Sequence, residues 1–183
     1  MAVALRTVSR LLLLGSIVGS CVGCDQVTKV IARRVLTSSA PVSYFGDTLR
    51  LTYAENPGGF MSVGADASPW LRSWTFGGLT ALMVVVLVVA AVRSRSPGRA
   101  HVIALALVIA GGIGNLIDRA AYGAVRDFLN VGVGELRTGI FNVADMAVMT
   151  GVLMLCLGSL RHGNDAPEDE GCGRPDETAE RAS

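Results

Sequence analysis

The chain has 183 residues, of which 51% are apolar and only 17% are charged, and its formal net charge is +1. Soluble domains carry about a quarter charged residues, so this composition excludes an ordinary soluble enzyme. The near-neutral charge excludes a nucleic-acid-binding protein, which needs a basic surface. A long apolar chain with so few charges predicts a membrane protein.

Four segments of the chain are predicted to cross a membrane. A helix that crosses about 30 Å of hydrocarbon needs about 20 mostly apolar residues. The predicted spans are residues 11–32, 73–92, 100–118 and 140–160. The first span reaches this length only if its helix continues past Asp25 and Lys29. Together the four spans predict an all-α membrane protein, a bundle of four transmembrane helices.

Residues 1–24 also have the outline of a secretory signal, with a basic start, an apolar stretch and small residues at the end. In a bacterial lipoprotein, Cys24 would then be the lipidated first residue of the mature protein. Three further predicted spans argue against this alternative, because a lipoprotein is usually soluble beyond its anchor.

The arginines of the short loops predict the orientation of the bundle. Arg6 and Arg10 precede the first span, and three more arginines lie between spans 2 and 3, with no acid near either group. Both termini are therefore expected in the cytoplasm. Residues 161–183 carry seven acids against three arginines and have little to bury, which predicts a disordered acidic cytoplasmic tail.

The longer segment between spans 1 and 2 is predicted to contain β-structure. Apolar and polar residues alternate over residues 49–54, which is typical of a strand. Residues 42–45 can pair with that strand across a Gly-Asp turn. An Asn-Pro-Gly-Gly run then ends the strand. We expect an outer β segment over about residues 41–64.

Polar residues cluster at the ends of the spans. Charges at membrane depth are costly and by default mark function. Residues at i, i+3 and i+4 share one helix face. The clusters with such spacing are Asp25, Thr28 and Lys29; Asn115, Asp118 and Arg119; and Asn142 with Asp145. Asp127 lies in the connection between spans 3 and 4, so Asp145 could face either Asp127 or Asp118 across one cleft.

Each of these residues alone has a structural explanation, such as an interfacial ion pair for Asp118 and Arg119 or a helix–helix hydrogen bond for Asn115. Their convergence at one depth argues for a site. No histidine lies near it and the acids are too few for a convincing zinc site, so neither a metal nor a cofactor is expected. Two close carboxylates that share one proton predict peptide hydrolysis by an aspartate dyad.

Five sequence blocks occur in order along roughly residues 10–160. They are Asp25-Gln-Val-Thr-Lys29, Asn56-Pro-Gly58, Gly114-Asn-Leu-Ile-Asp-Arg119, Val125-Arg-Asp127-Phe128 and Phe141-Asn-Val-Ala-Asp145. With these blocks the chain resembles lipoprotein signal peptidase (signal peptidase II), a family of intramembrane aspartic proteases of bacteria.

The resemblance implies a four-span bundle with a small extracytoplasmic β-rich cradle between helices 1 and 2. Residues 1–160 would form a single membrane-embedded peptidase domain. It would cleave diacylglyceryl-modified prolipoproteins just before the lipidated Cys, near the outer leaflet of the bacterial inner membrane. The expected partners are these substrates and membrane lipids, with no nucleic acid, and a monomer is expected.

The resemblance also assigns residues. The catalytic aspartates would be Asp127 and Asp145, while Asp118 would be structural, together with Asp25 and Lys29. The residues expected to line the site and to orient the dyad and the substrate are Asn56, Gly58, Asn115, Arg119 and Asn142.

Two features are unusual. Gly59, Phe60 and Met61 stand where the family usually has two small residues and an aromatic one, which is expected to alter substrate or inhibitor preference. Arg126 adjoins Asp127, and a nearby cation would favour the ionised form of that carboxyl group. Two other classes of function remain open: a non-catalytic relative that binds lipoprotein precursors or lipids, and a small proton-linked transporter. A transporter would need polar residues through its midplane, whereas here they cluster at one surface.

Overall fold

The structure is a computed structural model that describes residues 2–58, 68–93 and 98–163. Its long helices within these ranges are α1 (Ala2–Leu36), α3 (Leu79–Arg93), α4 (Arg99–Tyr122) and α5 (Val143–Gly163). A short helix α2 (Pro69–Arg72) and a π-helical segment (Ser73–Gly78) lead into α3. The described chain has four helical stretches long and apolar enough to cross a membrane: Thr7–Leu36, Trp74–Arg93, Arg99–Tyr122 and Val143–Leu160. The predicted four-helix membrane bundle is confirmed.

The helix ends differ from the predicted spans. The first helix runs unbroken through Cys24 and ends at Leu36. Helix α4 extends beyond residue 118 to Tyr122, where Gly123 takes a left-handed conformation and its N–H bonds the Arg119 carbonyl at 3.0 Å. Glycine commonly ends helices in this way.

The last helix begins at Val143, three residues later than predicted, and continues to Gly163. Residues 161–163 are therefore helical, which the predicted tail did not include. The remainder of that predicted acidic tail, residues 164–183, lies outside the described residues.

Four strands of the described chain form one antiparallel sheet in chain order. They are β1 (Val42–Tyr44), β2 (Leu49–Asn56), β3 (Val125–Val133) and β4 (Leu136–Arg137). The first two are the predicted hairpin. The other two come from the connection between α4 and α5, which was predicted only as a short link. Strand β3 escaped prediction because its first four residues are all buried, so it lacks the alternation of a half-exposed strand.

The pairing of β2 with β3 changes register near the site. Leu51 lies opposite Leu129, whereas Ala54 lies opposite Asp127, so one extra residue of β2 is accommodated between them. Such a β-bulge bends a strand and re-aims its side chains. The sheet also packs on the end of α1, where Ala32, Leu36 and Phe128 form a buried apolar cluster.

Helix α4 is the centre of the bundle. In its most apolar 18-residue window 56% of the residues are buried, against 17% or less in each of the other three spans. Glycines allow its neighbours to approach closely. A Cβ at Gly112 would stand 2.6 Å from Val84 of α3, and one at Gly114 would stand 2.6 Å from the Asp25 carboxylate of α1.

Two glycines of α5 test the importance of this close packing. A Cβ at Gly151 would lie 2.6 Å from the Ala104 carbonyl oxygen and 2.6 Å from a methyl group of Val108, whereas Gly158 has open space around it. Because backbone atoms cannot move aside cheaply, Gly151→Ala should destabilise the fold by about 1–3 kcal/mol. Gly158→Ala, the matched control, should not. Thermal unfolding in detergent measures both, and equal melting temperatures would contradict the packing described.

Candidate active site

The site lies at the end of the bundle that carries the sheet. Its side chains come from four places: β2, the last two turns of α4, the start of β3 and the start of α5. The residues are Asn56, Asn115, Arg119, Asp127, Asn142 and Asp145, and all of them except Asn142 line one cavity. Asn142 is completely buried and lies behind the others.

Asp127 is a buried carboxyl group with two amide donors. Asn142 Nδ2 donates to Asp127 Oδ1 at 2.6 Å, and Asn56 Nδ2 donates to Oδ2 at 3.3 Å. The residue is only 3% exposed. Burial, reinforced by the negative charge of Asp145, raises the pKa of Asp127 to about 7.

Asp145 is held by the start of α5. Its N–H donates to Asn142 Oδ1 at 3.0 Å, and the Asn142 N–H donates back to Asp145 Oδ2 at 3.1 Å. This reciprocal pair is a capping box, with asparagine as the N-cap and aspartate as the third helical residue. Asn115 Nδ2 of α4 donates to the other oxygen, Oδ1, at 2.9 Å. The spacing of Asn142 and Asp145 therefore reflects a helix cap as well as a site.

Asn142 links the two aspartates. Its amide nitrogen contacts Asp127 Oδ1 at 2.6 Å and also Asn115 Oδ1 at 3.2 Å, while its amide oxygen caps α5 beside Asp145. One fully buried amide thus fixes β3, α4 and α5 relative to one another at the cavity.

Arg119 connects α4 to the segment after β2. Its guanidinium donates to the Gly58 carbonyl at 3.1 Å, and the Gly58 N–H donates to Asn56 Oδ1 at 3.0 Å. The charge of Arg119 interacts with both Asp127 and Asp145. Its Nε is buried and has no hydrogen-bond partner among the residues that the structure describes. The three residues that follow this turn and depart from the family pattern, Gly59, Phe60 and Met61, lie outside the described residues.

Behind the cavity lies a second cluster, which we call the charged core: Asp25, Lys29, Asp118 and Arg126. Lys29 Nζ is 2.8 Å from Asp25 Oδ2 and 3.0 Å from Asp118 Oδ2. A guanidinium nitrogen of Arg126 is 2.6 Å from Asp118 Oδ1. All four side chains are at most 2% exposed. Asp25 also accepts a hydrogen bond from the N–H of Ala144 in α5 at 2.9 Å.

The geometry separates the two candidates for the partner of Asp145. Asp118 turns into the charged core, whereas Asp127 lies at the cavity with Asp145. The sequence left open whether Arg126 faces the site, and the structure shows that it does not face Asp127. Its guanidinium points to Asp118 on the other side of β3, and the pKa of Asp127 is raised rather than lowered.

The sequence reasoning missed Gln26 and the segment 138–141. Gln26 Nε2 donates to Asp118 Oδ1 at 3.2 Å, and its Oε1 accepts from Arg126 at 2.9 Å. Its position next to Asp25 was the available signal. Thr28, by contrast, shares the spacing of Asp25 and Lys29 but bonds carbonyls of its own helix. Residues 138–141 line the cavity; the first three carried no recognisable pattern, and Phe141 was noted only as the start of the fifth sequence block.

The cavity has a volume of about 690 Å³ and is polar at one end only. It extends from the aspartates between α3, α4 and α5. Its apolar walls are formed by Phe76, Met83, Val84, Leu87, Val108, Ile140, Phe141, Met146, Val148 and Met149. An extended apolar ligand could therefore lie along the helices with its polar end at Asp127 and Asp145.

Comparison with known proteins gives the family. The family model described as Signal peptidase (SPase) II matches residues 17–161. The chain belongs to the signal peptidase II family. The resemblance seen in the five sequence blocks is thereby confirmed, and the protein is an aspartic protease of the signal peptidase II type, a multi-pass protein of the bacterial inner membrane.

Relatives within this signal peptidase II family include the lipoprotein signal peptidases of Yersinia pseudotuberculosis serotype O:1b (strain IP 31758) and Yersinia pestis (strain Pestoides F). Each is 40% identical over 126 residues, which span 69% of this chain and 72% of the relative.

Two solved structures, both described as a bacterial membrane enzyme determined by the in meso method, have the same fold. The first aligns with a TM-score of 0.76 over 86% of this chain and 93% of the other, at 26% identity. The second gives 0.70 over 81% and 93%, again at 26% identity.

The raised pKa of Asp127 predicts how the stability of this signal peptidase II depends on pH. The folded pKa of about 7 exceeds the value of about 3.9 expected in an unfolded chain. The fold therefore binds a proton that the unfolded chain has lost, and its stability should fall as pH rises from about 4 to about 7.

Thermal unfolding in detergent across pH 5–8 measures this loss. Asp127→Asn imitates the protonated side chain and should melt increasingly above the wild type as pH rises. Parallel curves for the two proteins would show that Asp127 is ionised throughout.

Proposed function

We propose that this signal peptidase II cleaves the signal peptide from diacylglyceryl-modified prolipoproteins just before the lipidated Cys, with Asp127 and Asp145 as the catalytic pair. One observation carries the proposal. The two carboxyl groups lie at the polar end of a cavity whose other walls are mostly apolar, and burial, with the charge of Asp145, raises the pKa of Asp127. Residues 1–160 form the single peptidase domain in this proposal.

The pair hydrolyses the peptide bond without a covalent intermediate. In this mechanism the pair shares one proton, and the cycle starts with that proton on Asp127, whose pKa is raised to about 7 by burial and by the charge of Asp145. Asp145 takes a proton from water as the water oxygen bonds to the scissile carbonyl carbon. Asp127 gives its proton to the carbonyl oxygen.

The resulting tetrahedral intermediate then collapses. The C–N bond breaks as Asp145 passes its proton to the leaving amine, and Asp127 recovers a proton from the hydroxyl group. The products are the carboxyl end of the signal peptide and the free amino group of the lipidated Cys. Both aspartates return to their starting states, so the cycle needs no cofactor.

The remaining site residues hold the pair and the substrate in this proposal. Asn142 and Asn115 orient the carboxyl groups through the hydrogen bonds described above. Asn56, Gly58 and Arg119 bind polar groups of the substrate, and the unpartnered Nε of Arg119 offers one donor for this purpose. Asp25, Lys29 and Asp118 are structural, because their polar atoms bond one another and their neighbours behind the cavity.

The apolar walls explain why a lipid-modified precursor suits the cavity. In the bilayer, acyl chains and an apolar signal peptide are already out of water, so what they gain in the cavity is van der Waals packing against its apolar walls. An unmodified precursor would lack the packing contacts of the acyl chains. We therefore expect lipidation to increase cleavage by improving both binding and position.

We also propose that both termini are cytoplasmic, that the aspartates lie near the outer leaflet and that the protein acts as a monomer. The acid-free arginine groups at the N-terminus and between spans 2 and 3 support this orientation. So does the pair of exposed tryptophans at the start of the second span, Trp70 and Trp74, whose ring centroids are 6.2 Å apart. Such rings favour the membrane–water interface.

Substitution of the aspartates tests the chemistry. Asp127→Asn and Asp145→Asn should each reduce kcat by at least about 1,000-fold, because neither amide can take a proton from water or return one. Release of the signal peptide, followed by mass spectrometry, measures the rate with a diacylglyceryl-modified precursor and with its unlipidated twin.

Glu135→Gln, which changes an exposed acid at the far end of the sheet, is the matched control and should cleave at the wild-type rate. Wild-type cleavage by either Asp variant would exclude the dyad. Equal cleavage of the two precursors would exclude the role given to lipid.

Cysteine labelling tests the orientation. In a cysteine-free background, Phe45→Cys on the exposed β1–β2 turn should react with a membrane-impermeant maleimide in intact spheroplasts. Ala100→Cys at the start of α4 should react only after lysis. The reverse pattern would invert the proposed topology.

A further inference from the structure

We propose that Arg126 is a positioning residue that directs Asp127 into the cavity. It does not line the cavity, and it acts by fixing the start of β3 to the charged core. This role rests on the proposed function, since it presumes that Asp127 takes part in the reaction.

Arg126 donates hydrogen bonds to both oxygens of the Asp118 carboxylate. Its backbone N–H donates to Asp118 Oδ2 at 3.0 Å, and its guanidinium donates to Asp118 Oδ1 at 2.6 Å. The same guanidinium nitrogen also donates to Gln26 Oε1 at 2.9 Å, and the guanidinium carbon lies 4.4 Å from the centre of the Tyr122 ring. A backbone and a side-chain bond to one acceptor fix both the position of residue 126 and the rotation of the strand about its axis.

The rotation of β3 about its axis sets the direction of the Asp127 side chain. Successive side chains of a strand project to opposite faces. With Arg126 directed towards the charged core, Asp127 must face the other way, where Asn142 and Asn56 donate to it. A slip of one residue would exchange the two faces and place the catalytic carboxyl group in the charged core.

The pairing of β2 with β3 is interrupted beside this register. The bulge separates the outer pairs of β2 and β3, which end at Leu51 and Leu129, from the inner pairs 54–56 and 125–127. The outer pairing therefore does not determine how the inner residues align. The bonds of Arg126 to Asp118 supply an anchor at the middle residue of the inner β3 segment.

Arg126 also balances charge, and an experiment must separate the two effects. The charged core has two carboxylates and two cations, so loss of Arg126 alone leaves an uncompensated buried negative charge. Breaking a buried ion pair from one side is strongly destabilising, whereas removing both partners can be tolerated. The double variant Arg126→Met/Asp118→Asn restores neutrality without restoring the anchor.

The experiment measures kcat and KM per folded enzyme, together with melting temperature, on a diacylglyceryl-modified precursor. Arg126→Met should lower kcat by about 10- to 100-fold, the size of effect expected from a misplacement of about 1 Å, with KM within about twofold. The double variant should recover melting temperature but not kcat. Arg126→Lys, which keeps the charge and the backbone bond, should recover part of kcat.

Arg33→Met is the matched control. Arg33 is exposed and its guanidinium carbon lies 5.4 Å from the centre of the same Tyr122 ring. Within the described residues it makes no hydrogen bond or ion pair to β3, so kcat should not change. Three results would overturn the proposal. The first is a wild-type kcat in folded Arg126→Met, and the second is a raised KM at unchanged kcat in that variant. The third is a double variant in which kcat recovers together with the melting temperature. If instead Asp127→Asn cleaves at the wild-type rate, the proposed function fails first and this role fails with it.

Discussion

The architecture depends on ion pairing out of contact with water. Asp25, Lys29, Asp118 and Arg126 are at most 2% exposed, and each of their charges has an opposite partner within 3.0 Å. Such charges are expensive at membrane depth unless they are paired and hydrogen-bonded. The pairs join α1 to α4 and α4 to β3, and the bond from Ala144 to Asp25 adds α5. Elements that are distant in the chain are thus assembled around one neutral polar centre.

An asparagine connects this centre to Asp145, one of the two carboxyl groups proposed to be catalytic. Asn115 accepts from Lys29 at 3.1 Å and donates to Asp145 at 2.9 Å, so its amide bridges the charged core and the cavity. The two acidic clusters therefore differ in kind although they are neighbours. The carboxylates of the charged core have close cations, whereas Asp127 is buried beside another acid, and this raises its pKa to about 7. The different surroundings support the two different roles proposed for these aspartates.

Sequence reasoning located the spans well, because few charges interrupt them, and it found the β1–β2 hairpin from its alternation. It could not choose between Asp118 and Asp127, since both lie near the end of the third span and the choice depends on which partner each side chain meets. For the same reason, the sequence could not show to which side of the strand the Arg126 side chain points. Strand β3 was missed because burial of both its faces removes the alternation that identifies a strand. Gln26 gained its role only from helices packed against it.

The one-sided polarity of the cavity has a consequence for turnover. Hydrolysis creates a new carboxylate on the departing signal peptide, beside a pair of acids that already disfavours a second negative charge. Arg119 lines the cavity with this pair, and its guanidinium also donates to the Gly58 carbonyl. The uncharged peptide bond of the substrate suffers no such repulsion. With the proposed pair, the site would therefore hold its substrate more tightly than its acidic product, which would favour forward turnover and weak product inhibition.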